Sequence, residues 1–177
     1  MRASTATPLL GRLWPTFANS YVLKALTVIA GSLLLWASAK VSVPFWPVPM
    51  TMQVFAVLLL GLGLGAPLAV AAVALYLAQG AMGLPVFQGT PEKGLGIVYM
   101  AGPTGGFLAG FLAAALVTGL AADRGLARGP IGATLAGLAG VGVIYALGLA
   151  WLGMLLGWDK PILAWGFWPF ILGDLLK

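Results

Sequence analysis

Charge is nearly absent from this sequence, and that scarcity limits the fold more than any motif does. Charged side chains make up 7% of the 177 residues and hydrophobic ones 61%, with a mean hydropathy of +1.04, whereas a soluble domain carries about 25% charge. Such a chain cannot cover a globular surface with solvated groups. It folds with lipid as its solvent, where backbone polar groups pair within the protein and helices of about 20 apolar residues are the natural unit. The composition predicts an all-α integral membrane protein.

Proline, glycine and the rare charges divide the apolar sequence into spans. Residues 1–20 read as a cytoplasmic N-terminal tail, because Pro8 and Pro15 interrupt them and no long apolar run follows Arg2 and Arg12 at once, as a signal peptide would require. The first span is expected from about Tyr21 to Ala39, the second from Met52 to Gly65 and the third from Pro67 to Leu84. The fourth runs from Ile97 to Ala121 and the fifth from Ile131 to Leu156. The segment VPFWPVP (Val43 to Pro49) cannot be helix interior, since its prolines remove donors and clash with the preceding turn. The aromatic AWGFWPF suits a membrane–water interface. A sixth span either begins near Pro169, in which case it is truncated at Lys177 and the native chain continues, or covers Ile162 to Leu175 with Pro169 as a kink. Arg2 and Arg12 precede span one, with Lys24 at its start, and Arg124 and Arg128 follow span four, so both groups lie on one side, the cytoplasm. The proline-rich loop, the glycine-rich loop after span three and the aromatic segment then share the outer side.

The same scarcity removes whole classes of function. There is no histidine, which takes away the usual general base and the commonest metal ligand, and no cysteine, which takes away disulfides and thiolate chemistry. The four acidic residues are too dispersed for a metal cluster, and the basic ones form no nucleic-acid stripe. The GxxxxG of GTPEKG lacks the Lys-Ser/Thr of a phosphate loop, and GLGLG (Gly61 to Gly65) continues an apolar span with no flanking strand. This chain is not expected to hydrolyse ATP. Small residues recur every four positions at Gly132, Ala136 and Gly140, at Ala74 and Ala78, and at Ala109 and Ala113, a pattern for close helix approach within the protein or against another membrane subunit.

Against that background Asp174 and Lys177 stand out. Three residues apart in WPFILGDLLK, they share one helix face and can pair or jointly hold a ligand. A charge at membrane depth costs roughly 2.5–3.5 kcal/mol on insertion scales, so such residues usually face a cavity or partner. The competing reading is an interfacial ion pair at the end of a span.

The segments VPFWPVPMTMQ (Val43 to Gln53), GLPVFQGTPEKGLGIVYMAGPTGGFLAGF (Gly83 to Phe111) and GDLLK (Gly173 to Lys177) closely resemble BioY proteins, the substrate-binding S components of energy-coupling-factor (ECF) biotin transporters. The resemblance covers roughly Tyr21 to Lys177. It implies a six-helix vitamin-binding domain over residues 21–177, working with a transmembrane T component and two cytoplasmic ABC ATPases. Biotin is then the transported ligand, with no cofactor, and a homo-oligomer stays open. The resemblance also implies that Asp174 and Lys177, as the Asp-x-x-Lys of the last helix, contact biotin. Lys93 falls near a polar ligand contact of some relatives, and Leu108 stands where some have an arginine. Gln53, Gln88, Tyr99 and Trp46 are further lining candidates. The family's small-residue docking motif on helix one has Thr27 and Gly31 as its nearest match. Biotin's ureido group, apolar ring and carboxylate need an acceptor, a cationic donor and apolar walls, which these residues supply. The alternatives are an S component for another vitamin, or an intramembrane enzyme or lipid-handling protein using Asp174 and Lys177 as acid and base.

Overall fold

A computed structural model describes residues 20–44 and 46–176. The tail expected before Ser20 and the charged Lys177 lie outside the described residues. Ser20 caps the first helix, α1 (Tyr21–Lys40), its hydroxyl accepting from the Leu23 amide at 3.2 Å. After α1 the proline-rich segment folds as a short hairpin, β1 (Ser42–Val43) pairing antiparallel with β2 (Met50–Thr51), so the prolines occupy its loop. Helix α2 (Gln53–Leu64) stops at Gly65, whose φ of 78° only glycine adopts freely, and α3 (Ala66–Ala81) restarts at once with Pro67 in its first turn.

The fourth span expected as one helix over Ile97–Ala121 is broken. Its first part is a single turn, α4 (Gly96–Met100), and the long helix α5 (Gly105–Asp123) begins only after Gly102 and Pro103. Proline lacks the donor an uninterrupted helix needs there, and the Gly102 carbonyl accepts from the Gly105 amide at 3.0 Å, in the turn that opens α5, and from the Trp151 indole at 2.9 Å. Helix α6 (Gly129–Leu156) ends at Gly157, φ 96°. The C-terminal region forms two pieces, α7 (Ile162–Gly166) and α8 (Trp168–Leu176), separated at Phe167. Pro169 thus sits in the first turn of α8, where its missing N–H costs nothing, as a helix starting near that proline requires.

Among the described residues three helices, α1, α5 and α6, are long and apolar enough to cross a membrane; α2 and α3 are shorter apolar helices, as is the stretch Ile162–Ile171. Helix α5 is central. Half of its 18-residue apolar stretch is buried, against 28% and 33% for the corresponding stretches of α1 and α6, and it packs on α6, α2 and α3. Glycine makes this contact possible: a β-carbon on Gly119 would lie 2.4 Å from the Ala66 backbone, and one on Gly110 would lie 2.9 Å from the Ile144 Cα. Across the interface Asp123 accepts a hydrogen bond from the Ala66 amide at 3.0 Å, tying the end of α5 to the α2–α3 turn. The small residues divide accordingly. Ala136 and Gly140 are buried, with Gly140 against Leu58 and Thr118, and Gly31 packs on Ala72, whereas Ala74, Ala78 and Ala109 face outward.

Candidate functional site

At the end of the bundle where α5 begins, the hairpin, the segment following α3, α4 and α8 converge over one cavity of about 590 Å³, part of it open to solvent. Its walls are mainly apolar: Phe107, Leu108 and Phe111 from α5, Ile144 from α6 and Phe170 from α8. Their positions follow from helical spacing. Phe107 and Phe111 are four apart on the inward face of α5, and Phe170 and Asp174 are four apart on α8. Phe107 seats its ring on Gly148, where a β-carbon would lie 2.4 Å away.

The polar groups converge from several elements. Asp174 lines the cavity, and Tyr145 of α6 donates its hydroxyl hydrogen to Asp174 Oδ2 at 2.6 Å. This is a short charge-assisted bond between two helices. Tyr145 also packs edge-on against Phe167, at the junction of α7 and α8. Opposite, Gln53 is 4% exposed and belongs to a chain of hydrogen bonds. Thr51 Oγ1 donates to Gln53 Oε1, Gln53 Nε2 donates to the Tyr76 hydroxyl at 2.8 Å, and Tyr76 donates to the Val86 carbonyl. Tyr99 donates to the Gln88 carbonyl at 2.8 Å, and burial pushes its phenol above the ordinary value, so it stays a neutral donor.

Of the residues singled out from sequence, the fold brings Asp174, Gln53, Gln88 and Tyr99 to the cavity wall. Lys93 lines a smaller recess that shares Pro49, Tyr99 and Thr104 with the main cavity, and its ammonium donates to Gln88 Oε1 at 3.2 Å. Trp46 stands apart: it is 72% exposed and packs edge-on against Trp165 at 5.2 Å. Leu108 is buried in the apolar wall. Lys177, expected beside Asp174, lies outside the described residues. Tyr145 and Thr104 were not singled out beforehand. A lone phenol within the apolar run VIYAL is the signal that marks Tyr145, because a hydroxyl at membrane depth needs a partner. Among the described residues no cluster of acidic side chains could hold a metal ion.

The sequence model of the BioY family matches residues 12–177. The biotin transporter BioY of Thermotoga maritima is 43% identical over 145 residues, 81% of this chain and 82% of that protein. The biotin transporter BioY of Rhodobacter capsulatus is 45% identical over 145 residues, 73% of each chain. In fold, the chain is similar to the crystal structure of the S-component for biotin from an ECF-type ABC transporter, with a TM-score of 0.75 and 23% identity, covering 89% of this chain and 86% of that one.

Proposed function

The chain belongs to the BioY family, and from that footing we propose that its outer cavity binds biotin for uptake, as the S component of an ECF transporter. The protein is a multi-pass membrane transport subunit for biotin and not an enzyme. One observation carries the site: Asp174 brings a carboxylate to a mainly apolar cavity and accepts a hydrogen bond there from Tyr145. A carboxylate accepts several hydrogen bonds at once, so Asp174 can keep Tyr145 and receive a ureido N–H as well. Phe107, Phe111, Ile144 and Phe170 suit the apolar bicycle and tail. Lys177, one turn beyond Asp174 in sequence, supplies the donor to the ureido carbonyl. With Leu108 apolar, the carboxylate goes to the recess of Lys93, where the ammonium offers charge and Gln88 and Thr104 offer further polar contact.

The whole subunit is read as six spans in the cell membrane with a cytoplasmic N-terminus, α2, α3 and the α7–α8 pair counting as the shorter crossings. Its partners are a transmembrane T component and two ABC ATPases, since nothing in the sequence binds nucleotide. Isothermal titration of the purified chain with biotin, in competition with other vitamins, tests the assignment. Saturable binding that only biotin displaces is expected; binding of another vitamin instead of biotin would sink the reading.

A further inference from the structure

Four consecutive backbone carbonyls in the segment after α3 are each taken by a side-chain donor. Lys40 Nζ donates to the Pro85 carbonyl at 3.0 Å and to the Phe87 carbonyl at 3.1 Å. The Tyr76 hydroxyl donates to Val86 and the Tyr99 hydroxyl to Gln88, while Thr90 adds a second bond to Phe87 at 2.7 Å. The donors come from α1, α3, α4 and the segment itself. What they hold is a wall of the cavity, because both Phe87 and Gln88 line it. Phe87 has a tight seat, with its ring over Gly80, edge-on to Tyr76 and stacked on Tyr99 at 4.9 Å.

Lys40 is the charged member of this set. A lysine in the last turn of a helix ordinarily serves its own helix's carbonyls. This one reaches more than forty residues along the chain and bridges two carbonyls flanking Val86. Hydrogen bonds from an ammonium are roughly twice as strong as neutral ones. The tyrosines that hold the neighbouring carbonyls are also packed by their rings, so their removal opens space, whereas Lys40 contributes at the surface through its charge.

We propose that Lys40 is a positioning residue of the ligand site: its ammonium ties the end of α1 to the Pro85–Phe87 backbone and so fixes Phe87 and Gln88 as a preorganised wall. It acts without touching the ligand. The proposal rests on the reading of this cavity as the biotin site, and preorganisation of this kind appears mainly as slow release.

Three measurements on the full chain test it. In ligand-free protein, Lys40→Met speeds hydrogen exchange across residues 83–95, while Lys40→Arg, which keeps the two-carbonyl bridge, restores protection. Lys40→Met also weakens biotin by roughly ten-fold, mostly through the dissociation rate. The factor is the same for biotin and for biotin amide, because the residue does not meet the carboxylate. Unchanged exchange overturns the proposal whether or not biotin binds, so failure of the site reading remains distinguishable. An unchanged affinity in a mutant that merely melts lower, or a loss confined to the carboxylate form, overturns it too.

Discussion

Asp174 is held by a phenol from another helix, and that decides what its substitutions should do. Asparagine keeps a carbonyl oxygen for the Tyr145 hydroxyl, so Asp174→Asn leaves the helix contact in place while removing the charge. On the proposed reading it raises the biotin dissociation constant ten- to hundred-fold, about 1–3 kcal/mol, with little change in melting temperature. Tyr145→Phe removes the support but not the acceptor, and the expected loss is smaller, about ten-fold or less. Titration calorimetry and thermal melts on both variants separate the readings: lower melting with intact affinity in both would make the pair structural. The sequence marked Asp174 because charge is rare, but it could not show Tyr145 as its partner, since the two are 29 positions apart and only the tertiary fold brings them together.

At the scale of elements, α5 organises the molecule through its glycines. At Gly119 an added methyl would strike backbone, the Ala66 Cα and N, and would disturb the bond from the Ala66 amide to Asp123. Gly119→Ala should cost about 1–3 kcal/mol as overpacking. Gly142 on α6 has nothing within 4 Å of an added β-carbon, so Gly142→Ala is expected to be neutral or slightly stabilising. A melting comparison in one detergent decides, and equal effects at the two positions would contradict the packing. Helix existence was legible along nearly the whole sequence, because apolar runs broken by proline and glycine leave few alternatives. The break after α4 was not anticipated. Gly102 and Pro103 announce a turn, yet whether an apolar run bends there or carries through depends on what supports the bend, here the Trp151 indole, which donates to the same Gly102 carbonyl as the Gly105 amide.

For the whole molecule, the cavity lies at the start of α5, and its other end, about 28 Å away at 1.5 Å per residue, carries Asp123 and the basic loop of Arg124 and Arg128. If the positive-inside rule holds, that loop is cytoplasmic and the cavity opens outward. The sequence has no cysteine, so Arg124→Cys creates a single reporter. In intact cells it should resist an impermeant thiol reagent and label after permeabilisation. Labelling from outside would invert the orientation and place the cavity on the cytoplasmic side.

What the sequence determined by itself was the solvent and the parts. Scarce charge dictated lipid, the apolar runs dictated helices, and the prolines and glycines dictated most of their ends, because each of these is a local consequence of solvation or backbone geometry. It also marked Asp174, Gln53, Gln88 and Tyr99, which the fold gathers at one cavity. Tertiary structure alone decided which polar groups answer one another: Tyr145 with Asp174, Lys40 with the carbonyls of Pro85 and Phe87, Asp123 with the Ala66 amide. It also set Trp46 against Trp165, away from the cavity. Such pairings depend on the register of one helix against the next, and that register is set by ridges, glycines and close backbone approach, for which a single apolar sequence carries many equivalent solutions.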